Sequence, residues 1–296
     1  MKPVFLSTKN HHPHDDRISF EEESHTYTID GDSSFTSVTT FVHHFFPKFE
    51  AEKTAISLLA EKRITNGRTV ENNCKYRKDA IHHIQETLNV SLENATAILN
   101  DTNSFEYKRE LENILQKWKD NSTLGTQTHA DIESFYNEEE VINDTPEYQY
   151  FIKFNEDFKK EYPQYRPYRT EWTVFYKDLK LAGSIDMVYE NMEDGTLMIY
   201  DWKRVKSIEY DSMFKNQTSL SEHLEGVPNT NFWHYSLQLN TYKGIIENQY
   251  CKKVTKLVLV RLYPEAPTYE LHECADLQNE VKALFEDRLR EVNSQG

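Results

Sequence analysis

Two carboxylates and a lysine stand where a buried strand should carry none. Ala182-Gly183-Ser184-Ile185-Asp186 and Asp201-Trp202-Lys203 lie within runs otherwise rich in Ile, Leu, Met, Val and aromatic residues. Strand interiors disfavour Asp and Lys, and a charge in an apolar layer has to be paired or bound to a metal. Between the two runs, Asn191-Met192-Glu193-Asp194-Gly195 is a turn signal, so together they read as a β-hairpin. If Asn191 faces Thr196 across the turn, Asp186 lies opposite Asp201. If the tighter Asp194-Gly195 pair makes the turn, Asp186 lies opposite Lys203. Opposed residues share a face, as do residues two apart on one strand. Either register therefore gathers Asp186, Asp201 and Lys203 on one face at one end of the hairpin. Two acids that close repel unless a cation sits between them, and oxygen donors suit Mg2+ or Mn2+. A purely structural ion trio inside a sheet gains little over apolar packing, which favours a working site.

The elements that must hold these residues follow from the punctuation of the chain. In the second half, 170–176 reads as a strand, followed by the two carboxylate strands and a long polar connection over 205–231. A helix covers 232–247, strands 254–263 and 269–273, and an amphipathic helix 276–292 with the stripe Leu277, Val281, Leu284, Phe285, Leu289 and Val292. Consecutive strands suit an antiparallel meander, and the helix before Val254 allows a right-handed crossover to a parallel neighbour. In the first half, 9–16 is polar, and its His11, His12 and His14 read as part of a disordered tail over 1–16 rather than a metal-binding one. A strand covers 18–28. From 50 to 120 the pattern is helical, with Leu92, Ala95, Ile98 and Leu99 on one stripe and Leu111, Ile114, Leu115 and Trp118 on another. Residues 121–127 break it. A short helix opens at Gly125-Thr126 and runs to Tyr136, and another covers 147–161, stopped by Pro163. The expected architecture is α/β (α+β): a mixed central sheet flanked by helices in 125–296, preceded by a strand segment and helical lobe over 17–124.

On these elements the motifs resemble the PD-(D/E)XK nuclease superfamily, and more narrowly its RecB-like exonuclease branch, which includes the mitochondrial genome-maintenance exonucleases. Gly183-Ser184-Ile185-Asp186 with Asp201-Trp202-Lys203 looks like the superfamily core. Gly125-Thr126-Gln127-Thr128-His129-Ala130-Asp131-Ile132-Glu133 is similar to the upstream helix of that branch, and Gln238-Leu239-Asn240-Thr241-Tyr242 to its downstream one. Ser37-Val38-Thr39-Thr40 is typical of some members. The likeness runs over about 125–263 and implies a restriction-endonuclease-like core.

What the resemblance implies is hydrolysis of a phosphodiester, whose own charge must be screened by a cation while a water is deprotonated. Asp186 and Asp201 would ligate the metal, with His129 and the Trp202 backbone carbonyl completing the shell; an imidazole donor would admit Mn2+ as well as Mg2+. Lys203 would orient the attacking water or stabilise charge on the scissile phosphate. Gln238 and Tyr242, four apart on one helix face, would orient Lys203 and contact DNA. Glu171, on the preceding strand, is a candidate extra carboxylate, for Lys203 or for a second metal; equally, it merely flanks a strand. Taken alone, His129 and Glu133 would be an ordinary helix-surface pair. Arg204 and Lys206 adjoin the site and are candidates to take neighbouring phosphates, whereas Lys252-Lys253 and Lys159-Lys160 read as solvated. Trp233, His234 and Tyr235 are the candidates for base stacking.

Composition bounds the rest. The 296 residues are 38% hydrophobic, with no apolar run of membrane length and no secretory signal order at the start. The expectation is an intracellular protein without a membrane, in cytoplasm, nucleus or a DNA-containing organelle. The balance of 34 Lys+Arg against 49 Asp+Glu argues against a protein that coats DNA regardless of sequence. Cys74, Cys251 and Cys274 do not match the four-cysteine iron–sulfur arrangement of several RecB-like nucleases, so no cluster is expected. No phosphate-binding Gly-x-x-x-x-Gly-Lys loop occurs, so no nucleotide is expected, and unwinding would need a helicase or another replication or repair partner. The resulting reading is a metal-dependent DNA exonuclease or end-processing enzyme acting on single strands or free ends. Residues 50–120 would form an arch and 205–231 a mobile flap. Two readings compete with it: a catalytically silent nucleic-acid-binding protein of the same fold, and an acid-pair hydrolase acting on sugars. The lysine beside the acids disfavours the latter, because it holds both carboxylates ionised.

Overall fold

The hairpin that carries the acids closes in the wider of the two registers. The Asn191 N–H donates to the Thr196 carbonyl at 2.8 Å, and Gly195 takes a φ of 73°, a left-handed conformation that costs glycine little. The strands before and after the turn are β5 (Leu181–Asn191) and β6 (Leu197–Lys203). They pair from Glu190 opposite Leu197 to Met187 opposite Tyr200. There the ladder ends, one step short of Asp186 and Asp201.

The computed structural model describes residues 5–65, 85, 89, 91–99, 105–212 and 217–295. Its main sheet has six strands. Besides β5 and β6 these are β3 (Thr36–Ser37), β4 (Tyr165–Tyr176), β7 (Val254–Arg261) and β8 (Glu270–Glu273). The order is β3-β5-β6-β7-β8, with β4 on the other edge of β5. Pairs β4–β5, β5–β6 and β7–β8 are antiparallel, while β3–β5 and β6–β7 are parallel. The sheet is therefore mixed, and the helix preceding β7 returns the chain to a parallel neighbour, as its sequence order requires.

One edge of β5 is divided between two partners. Its start, Leu181 and Ala182, pairs with β3, and its end, from Met187, pairs with β6. Residues 183–186 lie between the two ladders. Ile185 and Val188 enter one core layer, whereas Met187 and Tyr189 enter the other, so the alternation along β5 slips by one residue at Asp186. Across from it on β4, between the pairs Thr170–Met187 and Trp172–Ile185, Glu171 has a φ of 41°. A left-handed residue without a glycine's freedom costs on the order of 1–3 kcal/mol, and such strain collects at working sites.

Helices cover both faces of the sheet. On one face, α2 (Val38–His44), α7 (Asn231–Gln249) and α8 (Gln278–Gln295) bring Val38, Leu237, Leu239, Ile245 and Val281 onto Trp172, Ile185, Ile199 and Leu259. On the other, α5 (Phe105–Tyr136) and α6 (Pro146–Glu161) bring Ile132, Phe151, Phe154 and Phe158 onto Tyr189, Tyr200 and Trp202. Helix α6 starts where Thr145 accepts the Tyr148 N–H and Pro146 takes the first turn, positions these residues favour. Its aromatic residues recur at helical spacing, and each fully buried one contributes roughly 2–3 kcal/mol. The α8 stripe is buried through Phe285, while Leu289 is 39% exposed.

Several expectations need correction. The tail over 1–16 is not frayed in its described part: α1 (Leu6–Lys9) buries Leu6, whose N–H donates to Asn137 Oδ1 at 3.0 Å, and Asp15 pairs with Arg169 at 2.6 Å. The strand over 18–28 is a hairpin of β1 (Ile18–Glu21) and β2 (Thr26–Ile29), because the chain turns at 22–25 with His25 at a φ of 53°. The break over 121–127 does not occur, since α5 runs through it unbroken. Poor helix formers such as Asn121, Ser122, Thr123 and Gly125 each cost about 1 kcal/mol or less, too little to break a helix that continues on both sides of them. Residues 17–47 group with 125–296 in one compact unit and 48–124 form a second, so the proposed lobe over 17–124 divides at Pro47. Within the second unit, α3 (Ala51–Thr65) and α4 (Leu92–Leu99) precede α5. Cys74 and the side chains of Ile98 and Leu99 lie outside the described residues.

The connection over 205–231 is also not a free flap. The Leu220 N–H donates to the Phe45 carbonyl at 2.8 Å, the Ser219 N–H to the Val227 carbonyl at 2.9 Å, and Arg261 binds the Val205 carbonyl at 3.0 Å. Residues 213–216 of it lie outside the described residues. Among the described residues no helix is long and apolar enough to cross a membrane.

Candidate active site

The open end of the β5–β6 ladder is filled by charge. Lys203 Nζ lies 2.5 Å from Asp201 Oδ2, with side-chain exposures of 15% and 4%. That carboxylate oxygen is buried, and the ammonium is the group that neutralises it. Asp186 Oδ2 accepts the Trp202 N–H at 2.9 Å, taking the place of a ladder carbonyl where the strands part.

His129 arrives from α5. Its Nε2 is 2.9 Å from the Trp202 carbonyl oxygen, and its Nδ1 is 3.5 Å from Asp186 and 3.7 Å from Glu171. Glu171 is held in turn by the Ser184 hydroxyl, which donates to it at 2.9 Å. His129, Glu171 and Asp186 offer donor atoms that all lie within 4.8 Å of one another, a spacing that could hold a metal ion. The donor set fits Mg2+ or Mn2+: carboxylate oxygens and one imidazole, with the Asp201 carboxylate beside them.

Burial and mutual charge set the electrostatics of the cluster. Burial drives Asp186 above the usual carboxylate range, against the pull of His129 and Lys203. Burial also raises Asp201, and the Asp186 charge raises it further. Burial works against the charged imidazole of His129, yet Asp186 and Glu171 hold its proton up to about 9. Likewise Lys203 is kept charged by Asp201 and Asp186 in spite of burial. A protonated His129 donates from Nε2 to the Trp202 carbonyl and faces the acids with Nδ1. This orientation, with the far ring nitrogen fixed on a backbone carbonyl, is common among metal-binding histidines.

The second helix brings aromatic residues. The Tyr242 ring lies against Gly183: a Cβ there would sit 2.8 Å from both Cε1 and the hydroxyl oxygen of Tyr242. Tyr242 is buried, and burial raises its hydroxyl well above the usual value against the opposing effect of the Gln238 side chain. A glycine at 183 is thus needed for close approach, and Gly183→Ala is expected to cost about 1–3 kcal/mol by overpacking. Thermal unfolding of that variant checks this, and an unchanged Tm would show that Tyr242 can yield.

The site therefore unites Asp186, Asp201, Lys203, His129 and Glu171, with Gln238 and Tyr242 alongside. The Trp202 carbonyl, expected as a metal ligand, is engaged by His129. The residue facing the lysine is neither Gln238 nor Tyr242 but Tyr235, whose ring centroid is 4.6 Å from Lys203 Nζ; the base-stacking role expected for it does not fit that position. Trp233 donates its Nε1 to the Tyr210 carbonyl at 3.0 Å. His234 stacks on Phe46 at 3.9 Å and bonds Asn229 at 2.8 Å. Both are committed within the fold rather than presented to a ligand. Arg204 is likewise no phosphate arm: its guanidinium pairs with Glu147 at 2.6 Å with both side chains under 9% exposed. Lys206 is exposed.

Sequence reasoning missed Tyr27, which is buried beside the site: burial, and after it the Glu171 charge, raise its hydroxyl pKa to about 12 against the opposing effect of the Ser184 backbone. Its only sequence signal is an aromatic in a short alternating run. No protein-family profile and no curated protein matches the chain. Matches among solved structures include one titled crystal structure of SSO0001, 15% identical, with a TM-score of 0.26, covering 81% of this chain and 85% of that one. A superposition of that quality carries no argument about function.

Proposed function

We propose that this chain is a metal-dependent phosphodiesterase of the PD-(D/E)XK type, similar to the RecB-like exonucleases, that hydrolyses DNA from single-stranded or free ends. The observation that supports it most is the grouping of His129, Glu171 and Asp186 within 4.8 Å, beside the Asp201–Lys203 pair. Asp186, Asp201, Glu171 and His129 would hold a divalent cation, which supplies charge screening and a more acidic water when bound. The chain's own residues do the rest. Lys203 holds a positive charge next to where the scissile phosphate must lie, stabilising charge that builds there. Trp202 fixes the orientation of His129 through its carbonyl and of Asp186 through its N–H. The packed sheet on both sides keeps these groups from rearranging as charge develops.

The test compares the wild type with Lys203→Ala on end-labelled linear single- and double-stranded DNA and on closed circular DNA, each with Mg2+, Mn2+ or EDTA. The expected result is metal-dependent loss of the linear substrates, reduced on the order of 10²- to 10³-fold by the substitution. Binding without cleavage under every metal condition would leave a nucleic-acid-binding protein, and metal-independent sugar cleavage would replace the reading altogether.

A further inference from the structure

The lysine of the site has a carboxylate on one side and an aromatic face on the other, and the second contact has a role of its own. Lys203 is the last residue of β6, so its four-carbon stem leaves the sheet where backbone pairing to β5 has already stopped. Asp201 draws its ammonium in at 2.5 Å. Tyr235, one turn into α7, presents its ring to the same ammonium at 4.6 Å, within the range in which a cation is attracted to the face of an aromatic ring. Tyr235 is partly buried and packs against the core cluster beneath the sheet, so its ring is not free to follow the lysine.

We propose that Tyr235 is the positioning residue for Lys203: its ring holds the ammonium at the site independently of Asp201. This rests on the nuclease reading above. Asp201 has two claims on it, the lysine and a bound cation. When its charge is shared, the attraction holding Lys203 weakens, and a flexible lysine would lose its fixed position. The Tyr235 face makes no demand on the carboxylate and keeps the ammonium within reach of the phosphate.

Three variants test it. Tyr235→Leu removes the ring face and keeps an apolar side chain, Tyr235→Phe keeps the face and removes the hydroxyl, and Lys203→Met assigns the lysine resonance. In 1H–13C spectra of the metal-free protein, the Lys203 Hε and Cε signals are expected upfield, shifted by the ring current of Tyr235. That shift should vanish in Tyr235→Leu and persist in Tyr235→Phe. In cleavage assays Tyr235→Leu should lower kcat about three- to thirtyfold with KM little changed, the range a cation–aromatic contact spans, and Tyr235→Phe should restore it. A KM increase at constant kcat would overturn the assignment in favour of contact with the nucleic acid, and equal losses in Leu and Phe would overturn it in favour of the hydroxyl. An upfield lysine signal in a protein that cleaves nothing would retain the contact and reject the nuclease reading. A cleaving protein without that signal would do the reverse.

Discussion

Asp186→Asn is expected to abolish metal-dependent cleavage and, in the absence of metal, to make the protein more stable. The loss follows from removing a carboxylate from the group that would hold the cation, whose screening is worth several kcal/mol and hence roughly 10³-fold in rate. The gain follows from charge. Three acids, Glu171, Asp186 and Asp201, share the site with two cations, His129 and Lys203, and the Asp186 side chain is only 12% exposed. Asparagine keeps the shape and still accepts the Trp202 N–H. Burial raises the Asp186 pKa in the folded state, so the folded protein binds more protons than the unfolded chain once the pH exceeds the ordinary value of 3.8. Stability therefore falls as the pH rises from there through the folded value, and only the wild type pays this cost. The Tm of Asp186→Asn should exceed that of the wild type at pH 8 and converge with it toward pH 4. Added Mn2+ should reverse the order: a cation at about 100 times its Kd stabilises the wild type by about 2.7 kcal/mol and leaves the variant unmoved. Equal Mn2+ shifts in both proteins would show that the cation binds elsewhere.

How much of this was legible depended on the distance over which each residue acts. Asp186, Asp201 and Lys203 stood out because their immediate neighbours are apolar, and the hairpin turn between them fixes their relation within a few residues. The two registers left open by the turn put the same three side chains together, so the ambiguity did not matter. Glu171 was not decided by its own strand. Its place depends on how β4 pairs with β5 and on a left-handed φ that no spacing encodes. His129 sits on a helix where a histidine and a glutamate four apart are commonplace, and only the likeness to a known motif singled it out. Helix α5 also hid its own continuity, since the small cost of the weak helix formers at 121–125 does not interrupt a helix that extends on both sides of them.

The misreadings share a cause. Arg204, Trp233, His234 and Tyr235 have residue types that suit nucleic acids, and from sequence alone a cation or an aromatic ring near a site looks available. Each has a partner far along the chain: Glu147 for Arg204, Phe46 for His234, Tyr210 for Trp233 and Lys203 for Tyr235. A side chain's freedom is a property of tertiary contacts, which local spacing does not encode. The histidine-rich start of the chain was misjudged in the same way. His12 and His14 pack their rings around Tyr250, and their imidazoles are held below the usual value mainly by burial.

That start supplies the other large expected effect. Asp15→Ala should lower the Tm by on the order of 10 °C. The Asp15 carboxylate accepts Arg169 Nη1 at 2.6 Å, Trp172 Nε1 at 3.2 Å and the His12 N–H at 2.9 Å. Arg169 is only 4% exposed, its guanidinium lies 5.2 Å from the Trp172 ring, and its Nε has no partner among the described residues. Removing the carboxylate leaves a buried guanidinium with the Asn10 carbonyl as its remaining acceptor at 3.2 Å. Breaking a buried pair from one side costs roughly 3–5 kcal/mol, and in a chain of this size each kcal/mol moves Tm by about 2–4 °C. The sign with pH is opposite to that of Asp186. Burial opposes the charged form of Asp15, but Arg169, the His12 N–H and Trp172 together lower its pKa below 3.8, so its stabilisation is present above that value and is lost as the pH falls through the folded one. The gap between wild type and variant should hold from pH 8 to about 5 and close below about 4. Arg169 and Trp172 flank Glu171 on β4, so the same contact fixes the strand that carries the strained residue of the site. Asp15→Ala should therefore also weaken Mn2+-induced stabilisation. A variant that melts within 2 °C of the wild type, or that binds Mn2+ as well, would mean that β4 holds Glu171 without help from the chain's first residues.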